Sequence, residues 1–382
     1  MKKLTPFALV LLVLMAFLNC ETEPVNSDFD NVQTEDSYRK IEKSKLQNRV
    51  LESEALYGNF IGNSYVRKLQ IYTPPGYKKN GTKEYPVVYL LHGFPFSEKS
   101  FIDESVWDEW INNPYLFSNE YPDFPEEGFR LWIDSLISNG LIEPMIIVMP
   151  NAATEPYGFS FYTNSILNGN FEDFIVDDLV SYMDKNYSTI ANPTGRAVVG
   201  HSQGGYAAFK FGMLHPDIFG VVGSHSGLLL VDALLEFAAV IEQENPNGFT
   251  GPDSSKFLTS AMYAMSAAWS PNLNNPPYYV DLPFEFDEYG SVHPVMEVMD
   301  RWHQQDVFSM LDIYYDNFNS LNGIYFDVGI YDELGTNLTH PYIVEKLNFY
   351  NIDYTFETYE GGHHTNMFER LAIALEFCSN KF

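Results

Sequence analysis

Gly200-His201-Ser202-Gln203-Gly204-Gly205 constrains this chain more than any other stretch, because of what stands on either side of it. Upstream, Arg196-Ala197-Val198-Val199 is a short β-branched run that reads as a buried strand. Downstream, Tyr206 to Leu214 has the apolar spacing of a buried helix. Strand, glycine-flanked turn and helix are the context that makes G-x-S-x-G a nucleophile elbow, with the Ser202 hydroxyl lifted above a sheet. Glycines are needed at the flanks because a Cβ there would strike the backbone or the helix.

The remaining chain supplies the sheet that such an elbow needs. Residues 66–73 alternate like a strand and stop at Pro74-Pro75-Gly76. Residues 85–91, 145–149, 219–224, 323–329 and 354–359 read as further strands, and stretches such as 171–187 have helical spacing. Apolar strands alternating with helices predict an α/β fold, a mostly parallel central sheet with helices on both faces. A hydrophobic content of 45% over 382 residues is ample for that core. The net charge of −29 argues against nucleic-acid backbones as partners, since those demand a basic face.

Two segments exceed this minimal pattern. Residues 97–128 are rich in aromatics, proline and acid, and residues 228–320 interrupt the strand order. A structureless link of the second length is improbable, so a helical cap is expected there, over the crevice at the strand C-termini.

The N-terminus reads as an address. Lys2-Lys3 precedes an apolar run from Phe7 to Leu18, too short to span a bilayer, and Asn19-Cys20 follows. Residues 1–19 are expected to be a signal peptide that resembles a bacterial lipoprotein signal, with Cys20 as the lipidated residue; a conventional leader cleaved nearby is the alternative. Export to the periplasm or outer membrane, or secretion, follows from either. The only membrane contact expected is that lipid anchor. Residues 20–48 read as an acidic tether, and residues 49–382 as the catalytic domain. The second cysteine, Cys378, lies on an apolar C-terminal helix and reads as a buried structural thiol.

Residues 72–77, 85–93 and 143–150, the elbow, and Gly361-Gly362-His363 together resemble one esterase branch of the α/β-hydrolase superfamily. That branch includes esterase D (S-formylglutathione hydrolase), feruloyl and acetyl-xylan esterases, siderophore esterases and the antigen 85 mycolyltransferases. The resemblance runs from about residue 50 to residue 377 and implies a three-layer α/β-hydrolase sandwich carrying the cap as an insertion.

A serine hydroxyl needs a base to take its proton, and the base needs a carboxylate to fix its tautomer. In this fold the chain order is Ser, acid, His. After Ser202 the acid should leave the tip of the next-to-last strand, where Asp332 and Glu333 both stand. The family's Gly-x-x-Asp pattern falls on Asp332. The histidine should follow the last strand, where His363 and His364 are adjacent, and the family pattern favours His363. Loops of this type give an oxyanion hole from main-chain N–H groups, here Phe94 and Gln203.

Tyr157, Phe161 and Tyr162 lie in a segment similar to one that borders the family's active site, and Trp269 lies in the cap. All four are candidate substrate-binding residues, with simple packing as the alternative. His201 should point away from Ser202. The other histidines have no metal-ligand spacing, so neither a zinc site nor a cofactor is expected. The reading is a serine carboxylesterase acting on small-molecule or glycan esters. An acyltransferase with the same triad, or a non-catalytic glycan-binding lipoprotein, would share most of these features.

Overall fold

The computed structural model describes residues 43–108 and 121–382. Eight strands form one sheet: β1 (Lys45–Glu52), β2 (Val66–Thr73), β3 (Val87–Leu91), β4 (Ile146–Pro150), β5 (Arg196–His201), β6 (Val221–His225), β7 (Gly323–Gly329) and β8 (Thr355–Tyr359). Their order is β1-β2-β4-β3-β5-β6-β7-β8. The six strands from β4 to β8 in this order are parallel, while β1 pairs antiparallel with β2 and β2 with β4.

Every residue of β3, β4, β5, β6 and β7 is buried, as the continuous apolar runs require of strands covered on both sides. The main helices are α1 (Phe129–Ser138), α2 (Gln203–Leu214), α3 (Phe257–Trp269), α4 (Met296–His303), α5 (Val307–Asn319), α6 (Thr336–Phe349) and α7 (Met367–Ser379). Successive side chains of a strand point to opposite faces. On β7, Phe326 packs its ring against Phe209 of α2, and its neighbour Tyr325 packs against Phe377 of α7. Helices therefore cover both faces, and Cys378 is buried on the inner side of α7, its thiol pKa pushed up to about 12 by burial.

Two expected boundaries move. Lys45–Asn48 are not tether but half of β1, which pairs along its whole length with β2. Ser44 ties the start of this strand to α1 by donating to Asp134 at 2.5 Å. An edge strand with one solvated flank carries Lys45, Gln47 and Arg49 and lacks an apolar signal. The second boundary is the end of the cap. Residues 228–320 form helices with a small ribbon, Phe284–Phe286 against Val292–Pro294. However, α5 at its end belongs to the layer over the sheet, with Phe318 against Phe209 and Asn317 bonded to the Met213 carbonyl.

The expected signal peptide, Cys20 and most of the expected tether lie outside the described residues, as do residues 109–120 of the first insertion. Among the described residues no helix is long and apolar enough to cross a membrane.

Candidate active site

Ser202 sits between β5 and α2 with φ +57° and ψ −120°, a conformation that few non-glycine residues adopt. Its neighbours make the turn possible. A Cβ on Gly200 would come within 2.2 Å of the Gly204 main chain, and one on Gly204 within 2.1 Å of the Leu91 carbonyl. The elbow is pinned to the next strand by the Ser202 N–H, which donates to the His225 carbonyl at 2.8 Å.

Two loops at the strand tips meet this serine. His363, after β8, places Nε2 2.9 Å from the Ser202 Oγ. Its Nδ1 lies 2.8 Å from Oδ2 of Asp332, after β7. Asp332 also accepts from the Leu334 N–H at 2.9 Å and from the Thr336 hydroxyl. Burial would raise the Asp332 pKa, but His363 and these donors outweigh it and hold the carboxylate below its usual range. Burial likewise opposes the charged form of His363, yet Asp332 leaves its pKa raised.

The two open alternatives separate cleanly. Glu333 turns from the imidazole and accepts the His363 main-chain N–H at 2.8 Å. His364 packs edge-on against Trp107 of the first insertion, with ring centroids 4.9 Å apart, and its pKa falls well below the usual value through burial and the neighbouring histidines. His201 points away from Ser202, with Nε2 3.0 Å from the His363 carbonyl. Ring nitrogens of His201, His363 and His364 do approach within 4.8 Å of one another. Both of those on His363 are already engaged by Ser202 and Asp332.

The loop after β3 is shaped from behind. His92 Nδ1 lies 2.9 Å from the Gly93 carbonyl, and its Nε2 accepts the Ala152 N–H at 3.0 Å. This is the neutral tautomer, consistent with a pKa lowered by burial to about 4. The Tyr162 hydroxyl donates to the His92 carbonyl at 3.0 Å. The Phe94 N–H donates to Oε1 of Gln203 at 2.9 Å.

Of the four candidate substrate-binding residues, only Tyr157 borders open space. It lines a cavity of about 350 Å³ with Phe94, Pro156, Pro252 and Phe257. Phe161 and Tyr162 are fully buried. Trp269 is buried against Phe161, Tyr206 and Trp302. These three pack against the elbow helix, where Tyr206 meets Phe161 and Trp269 and Lys210 donates to the Tyr162 carbonyl. The 228–320 insertion does reach the loop after β3, where the Phe257 and Phe94 rings lie with centroids 5.7 Å apart. Sequence reasoning missed Thr336, the Gln203 side chain, and a buried network behind the site. There His225 Nδ1 lies 2.6 Å from Asp327, which also accepts from Tyr325 and Arg370. Aspartate midway along an apolar strand was the available signal.

The sequence model of the Esterase family matches residues 64–374. The chain belongs to the Esterase family. A curated relative, an endo-1,4-beta-xylanase/feruloyl esterase of Xylanibacter ruminicola, is 30% identical over 190 residues, which is 47% of this chain and 23% of the relative. Diacylglycerol acyltransferase/mycolyltransferase Ag85A of Mycobacterium leprae is 30% identical over 156 residues, 40% of this chain and 38% of that one. The chain thus spans well under half the length of both. Among solved structures, a ferulic acid esterase superposes with a TM-score of 0.56 at 20% identity, covering 89% of this chain and all of that one. That likeness is one of fold, the α/β hydrolase.

Proposed function

We propose that this esterase is an exported serine carboxylesterase that removes acyl groups from carbohydrate or related esters through a covalent acyl-enzyme on Ser202. The observation that carries the reading is the continuous chain of contacts Ser202 Oγ to His363 Nε2 to Asp332, at 2.9 and 2.8 Å. His363 Nε2 takes the hydroxyl proton as Oγ bonds to the ester carbon, while Asp332 stabilises the imidazolium. The carbonyl oxygen becomes an oxyanion, held by the main-chain N–H groups of Phe94 and Gln203, each donor worth about 3 kcal/mol. The oxyanion collapses, the alcohol leaves with the proton from Nε2, and water attacks the acyl-enzyme with His363 again as base. No cofactor is required at any step.

The substrate class rests on the feruloyl esterase relative and on the aromatic cavity beside Phe94, which suits a flat or sugar-like group. Export rests on the N-terminal sequence. Hydrolysis of p-nitrophenyl acetate, feruloyl esters and acetylated xylan by the wild type and by Ser202→Ala tests the reading. An active Ser202→Ala protein would overturn it.

Similarity to the mycolyltransferase supports a second reading, in which the acyl group passes to an alcohol. The partition of product between water and added alcohol decides between them.

A further inference from the structure

Ser202 has one hydroxyl proton and two acceptors within reach. Its Oγ lies 2.9 Å from His363 Nε2 and 2.7 Å from Oε1 of its neighbour Gln203. The same Oε1 accepts the Phe94 main-chain N–H at 2.9 Å. A main-chain N–H can only donate, so it is the oxygen of the carboxamide, not the nitrogen, that stands there. An oxygen touching both this hydroxyl and the Phe94 N–H competes for a donor that the oxygen of an attacked ester would need. The approach is tight, since a Cβ on Gly93 would lie 2.9 Å from the Ser202 Cβ and 3.3 Å from this Oε1.

We propose that the Gln203 carboxamide is a built-in occupant of the oxyanion hole, which keeps the resting site shut and favours esters able to displace it. The inference rests on the Ser202 reading above. Two consequences follow from the geometry.

The first concerns selection. An incoming carbonyl must break two hydrogen bonds before it can react. A small ester brings little more than that carbonyl. A larger one gains contacts in the cavity of Phe94, Tyr157 and Phe257, and that remote binding offsets the displacement.

The second concerns the proton. While the hydroxyl donates to Oε1, the Oγ lone pair faces Nε2, and this arrangement favours a protonated imidazole that donates to Oγ. Expelling Oε1 turns the hydroxyl proton towards Nε2 and favours the neutral base. The carboxamide therefore raises the pH at which the free enzyme becomes competent. The other groups facing His363 are Asp332 and Glu333 on the acid loop, His201 on β5, His340 on α6 and the adjacent His364. None of them changes when only residue 203 is altered.

Gln203→Met keeps the length and the main-chain donor but removes the acceptor. Gln203→Glu keeps the shape and strengthens the acceptor. We would measure kcat/KM for p-nitrophenyl acetate and the rate of fluorophosphonate labelling from pH 5 to 9. Gln203→Met should react faster by about 3- to 10-fold, the equivalent of a net hydrogen bond, with the acid limb moved to lower pH. Gln203→Glu should react more slowly, with the limb moved up. A misfolded variant cannot produce opposite signs at one position. Two slower variants with an unmoved limb, or two that match the wild type, would overturn the proposal. Ser202→Ala separates the failures: if it still labels, the nucleophile reading has failed; if labelling is lost, only the role of Gln203 is at issue.

Discussion

Glu333 holds His363 by its main chain and not by its ring: Oε2 accepts the His363 N–H at 2.8 Å, while the adjacent Asp332 takes Nδ1 at the same distance. Neighbouring carboxylates thus divide the work, one setting the tautomer and the other the loop. Asp332→Asn should lower kcat by about 10⁴-fold, as a wrong-tautomer substitution does. Glu333→Gln keeps an acceptor on the same atom position and should cost about tenfold or less, since only the charge assistance is lost. Steady-state kinetics on one ester rank the two, and the reverse ranking would move the acid to Glu333.

Removal of the proposed nucleophile is the strictest test of the elbow. Ser202→Ala should lower kcat by up to about 10⁶-fold while the thermal midpoint stays at or above the wild type. The hydroxyl is replaced by hydrogen at a residue whose φ of +57° is strained with or without it. Differential scanning calorimetry beside the kinetics checks both halves.

Activity should fall on the acid side as His363 takes up a proton. Asp332 raises the His363 pKa above its ordinary 6.5, so the acid limb of kcat/KM should lie above that value. Protonation removes the base, which gives the sign. In Asp332→Asn the raising charge is gone and the limb should move to lower pH. A limb that stays in place would mean another group controls it.

Gly93→Ala should damage catalysis more than stability. The new Cβ would meet that of Ser202 at 2.9 Å, pushing the Phe94 amide off line. Loss of one oxyanion donor corresponds to about 10²- to 10³-fold in kcat. A variant that unfolds outright, or one with full activity, would contradict this.

Glu172 offers a stability test away from the site. Its carboxylate lies 2.7 Å from the buried Lys210 Nζ and 3.0 Å from His215 Nε2. Burial alone would raise its pKa, but these partners hold it at about 2 against an ordinary 4.5. Its stabilisation is therefore complete above pH 4.5 and is lost as pH falls towards 2. The wild type should outlast Glu172→Gln in urea at pH 7, and the gap should close across that interval.

Much of this was legible in the sequence, for reasons that differ by element. Residues 66–73 and 323–329 are read to the residue because alternation or unbroken burial leaves a strong pattern. The elbow is legible because its glycines are forced by close main-chain contacts. Strand β1 is silent because only Leu51 of its residues is buried and most of the others are polar. The aromatic candidates mislead because Phe161, Tyr162 and Trp269 look alike in sequence whether they face a ligand or a core. The Gln203 side chain is invisible for another reason: its position in the motif concerns its N–H, and the carboxamide finds its partners only when the loop after β3 folds back.

The edge strand carries a practical consequence for anyone shortening this protein. A chain begun at Val50, where the sequence pattern turns globular, would lose Lys45–Arg49 and most of the ladder that covers the outer side of β2. The bared stretch of β2, Leu69–Thr73, has no charged side chain and offers a row of free main-chain donors and acceptors. Two such molecules would join edge to edge and precipitate, with an active site that nothing had altered.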